Sequence, residues 1–353
     1  MSEKQFVKGN EAVAMAAIEA GVRCYFGYPI TPQSDIPEYL SRELYKSGGT
    51  FIQAESEIGA INMVLGASAS GVRAMTSSSG PGISLKQEGI SYMAGSELPG
   101  VIVDIMRQGP GLGGIDASQA DYWQATRGGG HGGYRIIVLA PWSVQEMYDL
   151  TMLAFDLSDT YRIPAMVLAD SVIGQMKESM QLNPRPTCEH PAKEWAVRGW
   201  KNGTEQNVVK SLKLGDGEME KFHWEMHDRY GLLAENESRW EEYRTDDADL
   251  IVTAFGSAAR IARTAVEMAR EAGLKVGLMR PITLFPFPKS AYQELSKRCK
   301  LFLDIELSTG QMIDDVRLSV QLDTEVAFYG CPPGAGSLPT PEEILAQIRK
   351  VSP

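Results

Sequence analysis

Short apolar runs alternate with amphipathic stretches through the first half of the chain, and this alternation restricts the possible folds more than any other feature. The runs that predict strands are 23–26, 50–53, 73–76, 101–106, 135–139 and 164–168. The stretches that predict helices are 11–20, 32–45, 57–70, 84–94 and 143–157. Strands and helices that alternate in this way are typical of βαβ units, whose strands run parallel. The first half therefore predicts an α/β domain with a mainly parallel sheet.

Loops rich in Gly, Pro, Ser and Thr follow several of these strands. Residues 27–32 (Gly-Tyr-Pro-Ile-Thr-Pro) follow the first strand, and 79–82 (Ser-Gly-Pro-Gly) follow the third. In an open α/β sheet, ligands bind in the crevice at the carboxyl ends of the strands. We therefore expect a ligand site at the edge of the sheet where these loops meet.

The character of the sequence changes after residue 180. Residues 181–248 are polar, contain four of the six tryptophans and show no sustained period, so we interpret them as an extended connection that wraps over other surfaces. A second α/β unit follows, with predicted strands at 250–255, 275–279, 301–305 and 325–329 and predicted helices at 258–271 and 341–351. The domains predicted from the sequence are thus 1–180, 181–248 and 249–353.

Acidic residues outnumber basic ones in this chain of 353 residues, 45 against 34, for a net charge of −11. A surface of this sign repels phosphate backbones and anionic lipid heads, so it argues against nucleic acid and membranes as partners. No apolar run is long enough for a transmembrane helix, and the N-terminus lacks the apolar core of a signal peptide. These features predict a cytoplasmic protein.

The four cysteines, Cys24, Cys188, Cys299 and Cys331, are scattered, and no Cys-x-x-Cys pair occurs. This spacing argues against a zinc site, an iron–sulfur cluster or a disulfide framework on this chain. We expect no metal site here, so any iron–sulfur cluster would have to lie on a partner.

Three patterns look like known binding motifs but lack the context that their chemistry requires. Residues 109–114 satisfy Gly-x-Gly-x-x-Gly, yet they neither open a helix nor have an acid at the end of the next strand. Gly215-Asp216-Gly217 resembles a magnesium–diphosphate motif, but no apolar strand precedes it, so we expect a surface turn. His223 and His227 are spaced to share a metal, but Glu does not follow the first His and no further ligands are evident.

Four side chains near the predicted site have both a structural and a functional explanation. Thr31 lies between a strand end and a helix start, where a hydroxyl caps a turn or contacts a ligand. Glu57 opens a predicted helix, where a carboxylate stabilises the helix dipole or faces a ligand. Arg107 ends the fourth strand and His131 lies in a glycine-rich loop, and each also has an ordinary reading as a surface or packing residue.

Five segments together resemble one family, the α-type subunits of the 2-oxoacid:ferredoxin oxidoreductases. They are Lys8–Ala12, Gly27–Ser34, Glu55–Ala60, Ser78–Gly82 and Leu284–Pro288, in the family's order and over nearly the whole chain. The resemblance implies a pyrimidine-binding domain of the thiamine-diphosphate-binding fold. It also implies a smaller α/β domain like the C-terminal domain of transketolase.

The resemblance also implies roles for particular residues. Glu57 matches the carboxylate that hydrogen-bonds the thiamine pyrimidine, and Arg107 and Thr31 match groups that hold the 2-oxo acid. His131 is included as a candidate substrate-binding residue on its position alone. The predicted cofactor-contacting residues are Tyr28, Pro29, Ile30, Glu57, Ser79, Gly80, Pro81 and Gly82.

In this family the active site lies between chains, and this chain is expected to be inactive alone. The resemblance implies thiamine diphosphate shared with a β-type subunit, which would carry Mg2+ and a [4Fe-4S] cluster. It further implies γ- and δ-type subunits, ferredoxin as electron acceptor and coenzyme A as co-substrate.

The resemblance favours a branched-chain substrate, 2-oxoisovalerate, and leaves alternatives open. The first is 2-oxoglutarate, whose second carboxylate would need another cationic group, for which Arg127 or His131 are candidates. The others are a transketolase-like or E1-type thiamine component and a non-catalytic paralogue.

Overall fold

A computed structural model describes residues 4–182, 192–199, 205–332 and 338–352 of the chain. The strands in these ranges form sheets of seven, five and two strands. The seven-stranded sheet has the order β12 (Thr283–Phe285), β6 (Ile137–Leu139), β7 (Ala165–Asp170), β5 (Val101–Met106), β4 (Ala74–Ser78), β2 (Cys24–Gly27) and β3 (Thr50–Gln53). Its neighbours run parallel except for the antiparallel pair of β12 and β6. The predicted mainly parallel sheet is therefore confirmed.

Helices cover both faces of this sheet because its strands are apolar on both sides. They are α1 (Gly9–Glu19), α2 (Asp35–Glu43), α3 (Glu57–Ala69), α4 (Pro81–Gly95), α5 (Tyr122–Arg127), α6 (Val144–Tyr161) and α7 (Ser171–Gln175), with a 3-10 turn at Leu44–Ser47. In β5, Ile102 and Met106 join the core beneath α3 and α4, whereas Val103 and Ile105 join the core beneath α1 and α6. Burial on both faces is what a parallel sheet between two helical layers requires.

A five-stranded sheet forms the second α/β unit. Its order is β14 (Glu325–Gly330), β13 (Leu301–Glu306), β10 (Leu250–Thr253), β11 (Val276–Pro281) and β9 (Trp240–Tyr243), and only β9 runs antiparallel to its neighbour. Its helices are α9 (Gly256–Glu271), α10 (Lys289–Arg298), α11 (Met312–Arg317) and α12 (Pro341–Val351). The two-stranded sheet pairs β1 (Lys4–Lys8) with β8 (Lys177–Gln181).

The segment interpreted as an extended polar connection without a sustained period contains a long helix, which the sequence pattern did not predict. Helix α8 spans Glu218–Glu237, and buries only Phe222, Met226 and Leu233. Three buried positions in a helix of 20 residues leave too sparse an apolar stripe for a visible period. Strand β9 also lies in this segment. Cys188 and Trp200 lie outside the described residues.

The two units share contacts beyond chain connectivity. Strand β12 follows the second unit's β11 in the chain but completes the first sheet. Gln119 donates to the Phe255 carbonyl at 2.8 Å and accepts from the Leu307 amide at 2.9 Å. Asp170, at the end of β7, accepts hydrogen bonds from the backbone and side chain of Ser257. The exact domain boundaries remain predictions. Among the helices in the described ranges, none combines the length and hydropathy of a bilayer span.

Candidate active site

Glu57 lies at the first turn of α3, directly beyond the carboxyl end of β3. Ser56 caps this helix, and its hydroxyl accepts from the Gly59 amide at 3.1 Å. The cap fixes where the helix begins, and the Glu57 side chain is 7% exposed. The geometry thus holds a carboxylate at the edge of the sheet, where its charge is favoured by the helix dipole.

The loop Ser79–Gly82 brings the start of α4 against Glu57. A Cβ on Gly82 would lie 2.8 Å from Glu57 Oε1 and would overlap Ser78 Oγ, so only glycine fits there. Gly80 has a φ of +37°, a conformation that glycine adopts at low cost. The Ser78 and Ser79 hydroxyls are buried and have no hydrogen-bond partner among the described residues. The glycines therefore allow a close approach that leaves polar groups free beside Glu57.

The loop after β2 is fixed by hydrogen bonds from the N-terminal segment and from α7. The Asn10 amide donates to the Pro32 carbonyl at 2.9 Å and to Asp35 at 3.0 Å, and Lys8 pairs with Asp35 at 2.8 Å. Gln175 donates to the same carbonyl at 2.6 Å. Through these bonds, residues of the Lys8–Ala12 segment position the loop after β2. They leave Tyr28, Pro29 and Thr31 exposed and Ile30 partly buried.

Arg107 connects this loop to the glycine-rich loop 109–114. Its Nη1 donates to the Thr31 carbonyl at 3.0 Å and its Nη2 to the Leu112 carbonyl at 2.9 Å, whereas Nε has no partner among the residues that the structure describes. The predicted residues Thr31 and Arg107 are therefore in contact. Arg107 lines a cavity of about 1060 Å3, here called the Arg107 cavity. Other residues in its wall are Gly80, Pro81, Ser84, Leu85, Asp121, Gln124, Ser308 and Gln311.

His131 and Arg127 lie elsewhere. His131 is exposed in a loop whose Gly129 amide donates to Gln87 on α4 at 3.0 Å. Arg127 forms an ion pair with Asp315 at 2.9 Å. Neither His131 nor Arg127 is among the described residues that line the Arg107 cavity. The substrate-binding role of His131 remains a prediction without a contact that supports it.

The three decoy motifs lie in exposed or irregular positions. Residues 109–114 belong to a loop that continues to the start of α5. Gly215-Asp216-Gly217 forms an exposed turn before α8, as predicted. His223 and His227 are exposed on α8.

Sequence reasoning missed Lys86, a fully buried lysine on α4. Its Nζ has no hydrogen-bond partner among the described residues. Burial lowers the pKa of Lys86 to about 8, although the nearby Glu57 and Asp104 charges favour its protonated form. The signal was available, because Lys86 shares the apolar stripe of α4 with Ile83 and Ile90.

Sequence reasoning also missed two carboxyl groups, Asp104 and Asp121. Asp104 interrupts the apolar strand β5 and points toward the face that carries α3 and α4, since it alternates with Val103 and Ile105. Burial, and then the charge of Asp121, raise the pKa of Asp104. Burial raises the pKa of Asp121 to about 6, against the opposing effect of Arg107. An acid inside an otherwise apolar strand was the signal for Asp104.

Exposed apolar side chains lie on the elements that carry the site. They are Tyr28, Ile52, Ile58, Leu85, Leu112 and Ile115, with exposures from 38% to 79%. Apolar side chains clustered around a polar crevice are typical of surfaces that another chain covers. The elements that carry the site therefore present apolar surface to solvent.

Two family models match the sequence. Residues 15–245 match "Pyruvate flavodoxin/ferredoxin oxidoreductase, thiamine diP-bdg", and residues 248–344 match "Pyruvate:ferredoxin oxidoreductase core domain II". The first match covers more than half of the chain. The chain belongs to the pyruvate flavodoxin/ferredoxin oxidoreductase family. The predicted thiamine-diphosphate-binding fold is thereby confirmed for this member of the family.

Curated members of the family resemble the chain over its whole length. It is 50% identical over 349 residues to ketoisovalerate oxidoreductase subunit VorB of Methanothermobacter marburgensis. The matched region covers 99% of this chain and 98% of that protein. It is 37% identical over 381 residues to 2-oxoglutarate synthase subunit KorA of Methanothermobacter thermautotrophicus, covering 100% of both. The higher identity agrees with the sequence-based preference for the α-type subunits of branched-chain enzymes.

A solved structure has the same fold. The 2-oxoglutarate:ferredoxin oxidoreductase from Magnetococcus marinus, with 2-oxoglutarate, coenzyme A and succinyl-CoA bound, matches with a TM-score of 0.88 at 26% identity. The match covers 99% of this chain and 65% of that chain, so this chain spans less than two thirds of that protein's length.

Proposed function

We propose that this chain is the α-type subunit of an enzyme that oxidatively decarboxylates 2-oxoisovalerate with coenzyme A, yielding an acyl-CoA, CO2 and reduced ferredoxin. The observation that carries the proposal is Arg107, a buried guanidinium in the cavity wall that donates to the Thr31 carbonyl and whose Nε has no partner among the described residues. A guanidinium with free donors recognises a carboxylate in two-point geometry. The similarity to ketoisovalerate oxidoreductase subunits supports the same substrate class.

The charge in the cavity wall favours a substrate with one carboxylate. Within the described residues of that wall, Arg107 is the one cationic side chain. Arg127, a candidate for binding a second carboxylate, is already paired with Asp315. A 2-oxo acid with an apolar side chain fits this charge count better than 2-oxoglutarate does.

Glu57 would hold the pyrimidine ring of thiamine diphosphate by a hydrogen bond. The fit is supported by a largely buried carboxylate at a helix start, with the Ser78 hydroxyl, which has no partner among the described residues, close to it. When bound, the cofactor supplies the carbon nucleophile and the electron sink for decarboxylation. Thr31 and Arg107 would orient the 2-oxo acid at the same edge of the sheet.

Partner chains would complete the site. The exposed apolar residues around the crevice suit a β-type subunit, which would carry the Mg2+–diphosphate site and the [4Fe-4S] cluster. The γ- and δ-type subunits, ferredoxin and a cytoplasmic location belong to the same proposal.

The test compares two substrates in the assembled complex. The chain is co-expressed anaerobically with its partner subunits, and viologen reduction is followed with 2-oxoisovalerate and 2-oxoglutarate. We expect 2-oxoisovalerate to be preferred. The Arg107→Lys variant should raise KM roughly 10–100-fold with a smaller change in kcat, because about 1.5–3 kcal/mol of charge-assisted bonding is lost.

The control is Arg42→Lys, an exposed arginine on α2 whose replacement should leave KM unchanged. Preference for 2-oxoglutarate would overturn the substrate and keep the reaction class. No reduction with any 2-oxo acid, from a complex with intact clusters, would overturn the function.

A further inference from the structure

Asp104 and Asp121 form a buried pair of carboxyl groups beside the Arg107 cavity. Asp104 is fully buried on β5, where the Gly80 backbone amide and the Asp121 carboxyl group are its hydrogen-bonding neighbours. Asp121, which precedes α5, lines the cavity, and its Oδ2 is buried beside Asp104. A Cβ on Gly80 would lie 3.8 Å from that oxygen and 3.6 Å from Arg107 Cγ. One glycine therefore separates Asp121 from the guanidinium side chain.

Two adjacent carboxyl groups do not readily both ionise, because their charges repel and because Asp104 is fully buried and Asp121 only partly exposed. The charged groups that face the pair are Arg107 from the loop after β5, Lys86 from α4 and, beyond Lys86, Glu57 from α3. Arg107 acts on Asp121, and Lys86 acts on Asp104, each favouring the ionised form. Burial and mutual repulsion oppose them, so the pair retains a proton between its two members.

We propose that Asp104 and Asp121 hold one shared proton at the cavity wall, and that a carboxylate bound by Arg107 draws a second proton from solvent onto Asp121. The inference rests on the proposed function only in assigning the ligand's carboxylate to Arg107. The bound anion neutralises the guanidinium charge that keeps Asp121 ionised, so the carboxyl form becomes favoured. Asp121 would then present an O–H group to the ligand and act as a positioning residue for it.

The linkage works in both directions. If binding takes up a proton, then lower pH must strengthen binding, because the coupling free energy between two sites is reciprocal. The effect is largest near neutral pH, since the pKa of Asp121 without ligand is about 6 and the ligand raises it. Well below that pKa the proton is already present, and no uptake remains.

The test is calorimetry of 2-oxoisovalerate binding to the assembled complex, prepared without thiamine diphosphate and coenzyme A so that no turnover occurs. Titrations at pH 7 in buffers of different ionisation enthalpy give the number of protons taken up. We expect uptake of a fraction of a proton in the wild type and none in Asp121→Asn. The control is Glu88→Gln, an exposed carboxylate on α4, which should match the wild type.

Several outcomes decide the inference. Binding without proton uptake in the wild type, or with equal uptake in Asp121→Asn, would overturn it while leaving the proposed function intact. No binding of 2-oxoisovalerate would overturn the inference, whereas the viologen assay decides the proposed function. Should Asp121→Asn fail to assemble, infrared difference spectra of wild-type complex with 13C-labelled aspartate replace it. A protonated carboxyl band that appears with ligand and shifts with the label supports the inference, and its absence refutes it.

Discussion

The two larger sheets have similar parallel strands but treat the polar groups at their carboxyl edges differently. At the end of β13, Glu306 is fully buried and accepts hydrogen bonds from the Gln311 and Ile313 amides and the Ser308 hydroxyl at 2.9–3.0 Å. At the edge of the seven-stranded sheet, buried polar atoms of Ser79 and Arg107 have no partner in the described part of the chain.

The difference separates a structural carboxylate from a candidate catalytic one. The Glu306 oxygens accept hydrogen bonds from backbone amides at the start of α11. The groups around Glu57, by contrast, have no partner among the described residues and are available to a ligand or a second chain. Unsatisfied buried polar groups are costly, so native proteins retain them mainly where function uses them. Asp304 on β13 is also fully buried, and its burial, followed by the charge of Glu306, raises its pKa and favours the neutral form.

The largest expected effect tests directly whether the carboxylates at the two sheet edges differ in role. Glu57→Gln should lower kcat of the assembled complex by roughly 10²–10⁴-fold, a range typical of a lost proton-handling group, and leave the unfolding temperature nearly unchanged. Glu306→Gln should do the opposite: it should cost about 1–3 kcal/mol of stability and preserve kcat in the folded fraction. Steady-state kinetics and thermal unfolding of both variants measure the two effects. Equal losses of kcat would show that the two edges do not differ in role.

A second prediction tests the close approach at Gly82. A Cβ there collides with Ser78 and lies 2.8 Å from Glu57 Oε1, so Gly82→Ala should displace the carboxylate. We expect roughly a 10²-fold loss of kcat, because misplacement by about 1 Å has effects of this size.

The matched control is Gly66→Ala on α3, where a Cβ would meet nothing within 4 Å. This substitution should leave kcat unchanged and stabilise the helix by up to about 1 kcal/mol. Unchanged kcat in Gly82→Ala would mean that the position of Glu57 does not depend on this glycine.

The sequence predicted the sheet and the residues at its edge because both depend on local patterns. Apolar runs ending in loop residues indicated β2 and β4, and the first residue after a capped helix start indicated Glu57. The contact between Arg107 and Thr31 follows from parallel strands, whose carboxyl ends meet at one edge. These features need no knowledge of distant packing.

The features that the sequence did not predict depend on long-range contacts. Strand β12 has three residues, too few for a pattern, and is stabilised by pairing with β6. Asp121 lies in a loop, and its proximity to Asp104 arises only from the fold. Arg127 looked available as a substrate ligand until its partner Asp315, 188 residues away, was located.

The smallest expected effect concerns Lys86, whose buried Nζ has no hydrogen-bond partner among the described residues. Its pKa falls from 10.5 to about 8 on folding, so between these values the unfolded chain holds a proton that the folded chain has released. The free energy of unfolding should therefore rise with pH across this window, by on the order of 1–3 kcal/mol relative to Lys86→Met. Chemical denaturation of the full chain at pH 8 and pH 10 measures the difference, with Lys221→Met on the exposed face of α8 as control. A parallel pH dependence in wild type and Lys86→Met would mean that Lys86 stays fully protonated, and that the charges of Glu57 and Asp104 outweigh its burial.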